Sequence, residues 1–117
     1  MSKPMFKHVI EGARACVARR GSWTRFMLAA TSRAEECDPT DPRARRFCAY
    51  GALVRAAHDL TGDPEAAGEL AGRAAIWITG CETAEEAFGR IATINDGAPF
   101  AARQEILRLF DEGLARV

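Results

Sequence analysis

The chain has 117 residues, and its 16 Lys and Arg side chains are balanced by 16 Asp and Glu, so its formal net charge is zero. This length is typical of one globular domain, and no apolar run approaches the roughly 20 residues that a membrane-spanning helix needs. Net neutrality argues against a strongly basic nucleic-acid coat. The 27% of charged residues, together with few Ser and Pro, argues against a disordered chain.

Helical periodicity dominates the chain, whereas no long stretch alternates apolar and polar residues as a half-buried strand would. Segment 3–20 repeats apolar residues at helical spacing and ends before Gly21, so it is the first predicted helix. Segment 22–32 repeats this spacing for a few turns and leaves open whether an additional short helix forms there. Residues 31–41 are rich in turn-forming residues, which predicts a surface loop.

The next predicted helix, residues 42–61, begins with a capping Asp followed by Pro and ends before Gly62. Its apolar residues lie on nearly all sides, which is typical of a buried central helix. Gly51 stands in the middle of this helix, where glycine costs about 0.5–1 kcal/mol relative to alanine. We therefore expect another part of the chain to approach the backbone of Gly51 closely.

Three further helices follow in the remaining half of the chain. One begins at Asp63-Pro64 and ends before Gly80, one begins at the capping box that Thr83 opens, and the last begins at Pro99. The connections between them are short, so sequential helices are expected to be antiparallel neighbours. The predicted fold class is all-α: one compact domain over residues 1–117, with five to six short helices around the central helix 42–61.

Three features of the sequence predict the compartment, the state of the thiols and the absence of cofactors: the N-terminal residues, the cysteines and the histidines. Residues 1–10 lack the apolar stretch of a secretory signal, so we expect a cytoplasmic protein with no membrane partner. The four cysteines are then expected to be free thiols. No C-x-x-C pair occurs and the two histidines stand apart, so we expect no metal site and no cofactor.

Arginines concentrate in the first half of the chain and form the first candidate site. Three of them fall in the first turns of the predicted helix 42–61, the end whose dipole repels cations. They either meet phosphate or the carboxylates of a partner, or lie in solvent paired with acidic residues of the preceding loop. The candidate binding residues are Arg14, Arg19, Arg20, Arg43, Arg45 and Arg46.

The second candidate site is a pocket formed by Cys48, Tyr50, Asn95 and Asp96. Asn95 and Asp96 either offer hydrogen bonds to a ligand above the central helix or simply form the turn between two helices. Ten residues separate Cys48 from His58 on one helix, about 15 Å along its axis, so this pair is excluded as a catalytic dyad. A small buried thiol is the favoured interpretation of Cys48.

Residues 47–53, Phe-Cys-Ala-Tyr-Gly-Ala-Leu, resemble the C-x-x-G-A-L signature of a family of small helical proteins of unknown function from bacteria and their phages. Residues 94–96 resemble its later W-N-D element, with Ile94 in place of Trp, and residues 21–24 resemble its early G-W-T element. The resemblance implies that Cys48, Gly51, Asn95 and Asp96 form a shared core of the fold. It implies no activity.

The zero net charge conceals an asymmetry between the two halves of the chain. Residues 1–60 carry 11 basic and 6 acidic side chains, whereas residues 61–117 carry 5 basic and 10 acidic ones. If the halves lie on different sides of the fold, the protein has a basic and an acidic face, which favours docking or head-to-tail self-association.

No phosphate-binding loop, catalytic triad or paired-carboxylate motif occurs in the sequence. We therefore expect a non-catalytic cytosolic interaction or regulatory protein that docks a protein partner. The alternative is a nucleic-acid-binding protein that uses the arginines of residues 14–46. A second alternative is a small enzyme or ligand-binding protein with its pocket near Cys48 and Asn95-Asp96.

Overall fold

The computed structural model describes residues 3–117, with side chains from Met5 onward, and this part of the chain forms five α-helices and a small three-stranded sheet. In chain order the elements are α1 Lys3–Ala18, β1 Ala29–Thr31, β2 Glu36–Cys37, β3 Ala44–Phe47, α2 Ala49–Thr61, α3 Pro64–Thr79, α4 Ala84–Asn95 and α5 Pro99–Ala115. The fold is therefore mostly helical rather than all-α. Across residues 3–117, no helix combines the length and the apolar character needed to cross a membrane.

The helix α2 is the centre of the bundle. It packs against both α1 and α3, while α4 packs on α3, α5 packs on α1, and α4 and α5 contact each other. Alanines fill much of the core of α2 and α3, which lets these helices approach closely. All five helices contribute the largest fully buried apolar side chains, which are Val9, Ile10, Val17, Leu53, Leu70, Ile91, Ile106 and Phe110.

The helix boundaries after residue 61 agree with the capping signals in the sequence. The side chains of Asp63 and Thr83 accept hydrogen bonds from backbone N–H groups in the first turns of α3 and α4, at 3.2 and 3.1 Å. The helices α2 and α3 end at Gly62 and Gly80, whose φ angles of 69° and 73° are left-handed. Local signals therefore determine where these helices begin and end.

Residues 22–32 form no helix, and the surface loop predicted over 31–41 contains the strand β2. The strand β1 lies at the centre of the sheet and pairs antiparallel with β2 and β3. In the hairpin between β1 and β2, Ala34 takes the left-handed φ of 64° that such a tight turn requires. Strands of two to four residues are too short to show an apolar alternation, so periodicity could not predict them.

The helix predicted over 42–61 begins at Ala49 rather than at Pro42. Pro42 lies in a turn, β3 follows it, and Cys48 in an extended conformation is the N-cap of α2. The apolar run that starts at Phe47 thus covers the end of a strand and the start of a helix. Apolar residues alone do not separate the two, because both elements are buried here.

The expected close approach to Gly51 comes from the backbone of Leu28. A Cβ atom at Gly51 would lie 1.9 Å from the Leu28 carbonyl oxygen and 2.8 Å from its carbonyl carbon. The same oxygen accepts a hydrogen bond of 3.1 Å from the backbone N–H of Cys48. The segment that enters β1 therefore crosses directly over the first turn of α2, and only glycine leaves room for it.

We predict that Gly51→Ala lowers the free energy of unfolding by more than about 2 kcal/mol, because the added methyl group overlaps the Leu28 carbonyl. The matched control is Gly68→Ala in α3, where a Cβ atom meets nothing within 4 Å. This control should raise stability by about 0.5–1 kcal/mol, the usual gain in helix propensity. Urea denaturation measures both, and equal stability of the two variants would contradict the prediction.

Candidate functional site

The side chain of Asn95, at the end of α4, is buried beside the N-terminus of α2 with 1% of its surface exposed. Its Oδ1 accepts hydrogen bonds from the backbone N–H of Ala49 (2.9 Å) and from the indole N–H of Trp23 (2.8 Å). Its Nδ2 donates to the Thr24 carbonyl (3.1 Å) and to Oδ1 of Asp96 (3.2 Å). The Asn95 amide thus uses all its hydrogen-bonding groups and connects α4 to α2 and to residues 23–24.

Asp96 and Arg25 hold the next residue of that segment, Phe26. Oδ1 of Asp96 accepts a hydrogen bond of 2.8 Å from the backbone N–H of Phe26. Nη2 of Arg25 donates to the carbonyl oxygens of Asp96, at 2.9 Å, and of Gly97. The guanidinium carbon of Arg25 also lies 4.6 Å from the centre of the Phe26 ring. Phe26 is therefore fixed from both its backbone and its side chain.

Phe26 combines a left-handed backbone with an exposed aromatic ring. Its φ is 66°, a conformation that costs an L-residue about 1–2 kcal/mol, and its relative exposure is 70%. Ala34 has a similar φ of 64° because its hairpin requires it. No comparable hairpin surrounds Phe26, which is held by the long-range hydrogen bond to Asp96.

A cavity of about 350 Å³ opens beside Phe26, between the segment that enters β1, the first turn of α2 and one face of α4. The rings of Tyr50 and Phe88 meet edge to face in its wall, with centroids 4.9 Å apart. We call this cavity the aromatic cleft. It is lined by Phe26, Met27, Leu28, Glu36, Cys48, Tyr50, Phe88, Ile91, Ala92, Asn95 and Asp96.

All four residues of the predicted pocket, Cys48, Tyr50, Asn95 and Asp96, line the aromatic cleft. Cys48 is buried, and burial raises the pKa of its thiol. Its sulfur accepts a 3.2 Å hydrogen bond from the backbone N–H of Gly51, so it caps α2. Because Cys48 and Asn95 are engaged in holding the fold, the aromatic cleft offers mainly apolar and aromatic surface to a ligand.

Phe26, Leu28, Glu36 and Phe88 are members of the aromatic cleft that the sequence did not point to. Phe26 belongs to segment 22–32, where the sequence leaves a short helix open, and Phe88 belongs to the helix that Thr83 opens. Glu36 belongs to the predicted surface loop 31–41. No local signal distinguishes these residues, since their proximity depends on how α4 and the segment before β1 are placed around α2.

The six candidate arginines do not all line one site. Arg14 pairs with Asp111 of α5, with 2.5 Å between Nε and Oδ1. Arg19 and Arg20 are exposed at the end of α1. Arg43 pairs with Asp41 at 3.0 Å, and its hydrogen bonds lower the pKa of that carboxyl group. These ion pairs partly neutralise the positive charge of Arg14 and Arg43, so less of it is available to bind a phosphate or a partner's carboxylate.

The sequence predicted that three arginines lie in the first turns of a helix, and this prediction is wrong. Arg43 lies in the turn before β3, and Arg45 and Arg46 lie in β3 itself. Nη1 of Arg45 donates to the carbonyl oxygens of Pro42 and Ala44, at 2.7 and 2.9 Å. Contrary to what the sequence had suggested, these arginines are therefore not destabilised by the dipole of a helix that contains them. A second cavity, of about 300 Å³, is lined by Thr31, Ser32, Arg33, Glu35, Arg43 and Arg45.

Over the described part of the chain, no group of three or more His, Cys, Asp or Glu side chains is arranged to hold a metal ion. Burial raises the thiol pKa of three of the four cysteines, Cys16, Cys37 and Cys48. A raised pKa favours the protonated thiol, which is neither a good nucleophile nor a good metal ligand.

We predict that Asn95→Ala lowers the free energy of unfolding by about 3 kcal/mol, because it leaves the buried N–H of Ala49, the part-buried indole N–H of Trp23 and the Thr24 carbonyl without their partner. Thr93→Ala is the control on the same helix, since the exposed Thr93 hydroxyl only donates to Gly89 O. It should change stability by less than about 0.5 kcal/mol. If chemical denaturation shows that Asn95→Ala is as stable as the unmodified protein, the Asn95 hydrogen bonds do not stabilise the fold as proposed.

We predict that Cys48 is the slowest of the four thiols to react with iodoacetamide in the native state, by about tenfold or more relative to the partly exposed Cys81. The reason is its burial and the raised pKa that follows from it. Site-resolved mass spectrometry measures the four rates, and labelling in denaturant, where all thiols become accessible, is the control. A native Cys48 that reacts as fast as Cys81 would restore the nucleophile interpretation.

The residues of the sequence resemblance lie close together, since Cys48 and Gly51 are at the start of α2, Asn95 accepts a hydrogen bond from Ala49, and Asp96 accepts one from Asn95. No curated protein and no solved structure matches the chain. A family model matches residues 1–116, nearly its full length. This confirms the expected membership in a family without an assigned activity: the chain belongs to the family of unknown function DUF6197.

Proposed function

We propose that the protein is a small non-catalytic docking module that binds a protein partner through the aromatic cleft. The observation that carries this proposal is Phe26, an aromatic side chain that is 70% exposed on a left-handed backbone. Glycine in this place would avoid both the strain and the exposed apolar surface. Strain that the surrounding structure maintains in this way is typical of functional sites.

Further apolar surface continues from Phe26 across the mouth of the aromatic cleft. Phe88 is 42% exposed and Leu28 is 36% exposed, and Met27 and Tyr50 lie half-buried between them. Contiguous apolar surface with polar residues at its edge marks protein interaction sites, and aromatic side chains, Phe among them, are enriched at the centre of such interfaces. The aromatic cleft has this composition.

Binding fits the aromatic cleft better than catalysis does. Asn95 uses both its donors and its acceptor within the fold, and Cys48 is a buried thiol with a raised pKa. Cys48 is therefore a poor nucleophile, and the amide of Asn95 has no unused donor to offer a substrate. The arginines give less support to nucleic-acid binding, because Arg14 and Arg43 are paired with carboxylates and Arg45 donates to backbone carbonyls.

The proposal predicts position-specific crosslinking in cells that make the protein. With p-benzoylphenylalanine in place of Phe26 or Phe88, irradiation should give the same discrete protein adduct from both positions. The control is the same replacement at Phe100, which is 82% exposed at the start of α5 but does not line the aromatic cleft. Equal adducts from position 100, or none from positions 26 and 88, would overturn the proposal.

The partner identified in this way should bind Phe26→Gly about tenfold more weakly or worse than the unmodified protein, as expected for the loss of an aromatic hot spot. The variant should keep its thermal stability, because glycine accepts the φ of 66° without strain. Isothermal titration calorimetry and thermal denaturation together separate this result from unfolding. Unchanged affinity would show that Phe26 is not part of the interface.

A further inference from the structure

The aromatic cleft is acidic at its edges. Glu36 of β2 and Asp96 after α4 line it, and its described lining contains no Lys, Arg or His. This composition differs from that of the second cavity, where Arg33, Arg43 and Arg45 line the wall. The two cavities therefore suit ligands of opposite charge.

Both carboxylates of the aromatic cleft retain free acceptor capacity. Glu36 is exposed, and its carboxylate makes no hydrogen bond or ion pair with any residue that the structure describes. Asp96 uses Oδ1 to hold Phe26 and Asn95, while its Oδ2 makes no described hydrogen bond. Arg25 reaches the backbone carbonyl of Asp96 and forms no ion pair with its carboxylate. The negative charge therefore remains available to a ligand.

The aromatic rings of the cleft add a second attraction for cations. The faces of Tyr50 and Phe88 carry partial negative charge that attracts cations. The guanidinium of Arg25 already lies over the Phe26 ring, so Phe26 contributes mainly apolar contact. Leu28 and Ile91 also line the cavity and add apolar surface to its wall. Apolar walls of this kind suit the methylene stem of a lysine or arginine, whose charged end lies close to an acidic edge.

We infer that the aromatic cleft takes an extended basic side chain, lysine or arginine, of a partner polypeptide, with its methylene stem against the rings and its charge near Glu36 and Asp96. This inference rests on the proposed docking function and names the chemistry of the partner. Attraction to the carboxylates weakens with added salt, whereas contact of the stem with the rings does not. The two contributions are therefore separable by experiment.

The test is an NMR titration of the full ¹⁵N-labelled protein with two capped pentapeptides, Ala-Ala-Lys-Ala-Ala and its counterpart with norleucine in place of lysine. The peptides share the apolar stem and differ in the charge. We expect the lysine peptide to shift the amide resonances of the aromatic cleft and to bind about threefold or more tightly than the norleucine peptide at low salt. This preference should shrink in 0.5 M NaCl.

Glu36→Gln and Glu35→Gln form a matched pair for the same titration. Both remove one exposed carboxylate, but Glu36 lines the aromatic cleft and Glu35 lines the second cavity. Glu36→Gln should weaken binding of the lysine peptide about two- to fivefold, as expected for an exposed charge pair, and Glu35→Gln should leave it unchanged.

Three results would overturn the inference: equal or tighter binding of the norleucine peptide, equal effects of Glu36→Gln and Glu35→Gln, or no shift of cleft resonances with either peptide. Tight norleucine binding would leave the docking function standing and remove only its preference for a basic side chain. Failure of the docking function itself would appear separately, as the absence of crosslinks from positions 26 and 88.

Discussion

The fold depends on burying one polar side chain without leaving any of its hydrogen-bonding groups unsatisfied. The amide of Asn95 accepts from the N-terminus of α2 and from Trp23, and donates to Thr24 and Asp96. A buried amide without these partners would lower the stability of the fold by several kcal/mol. The native structure must therefore bring all four hydrogen-bonding partners to Asn95. This requirement fixes the end of α4, the start of α2 and the irregular segment after α1 relative to one another.

The position of the aromatic cleft follows from that requirement. Once Thr24 and Asp96 are held by Asn95, Asp96 holds the backbone of Phe26, and the chain continues over Gly51 to enter β1. Phe26 is thereby exposed at the mouth of the cleft in a conformation that it would not adopt by itself. The exposed ring of Phe26 is thus held in place by the hydrogen bonds around Asn95 and Asp96.

The charge asymmetry of the sequence does not correspond to two separate bodies. Helices from the basic first half pack directly on helices of the acidic second half, as α2 does on α3 and α1 does on α5. Among the described ion pairs, Arg14 and Asp111 make the one that joins the two halves. The other described pairs join residues two to four positions apart, so ion pairing contributes little to holding the two halves together.

The sequence by itself determined the five described helices, apart from the start of α2, because their signals are local. Apolar spacing located α1 and α3 to α5, and the capping residues Asp63 and Thr83 showed where α3 and α4 begin. Gly51 in the middle of an apolar segment predicted that another part of the chain approaches its backbone. The sequence also suggested a possible pocket of Cys48, Tyr50, Asn95 and Asp96, four residues that line the aromatic cleft.

The tertiary structure alone decided the rest. The strands β1 to β3 are too short to carry a period and form only by pairing with one another. Phe26, Glu36 and Phe88 meet at the aromatic cleft because residues about 70 positions apart share the hydrogen bonds around Asn95, and no local pattern encodes such a contact.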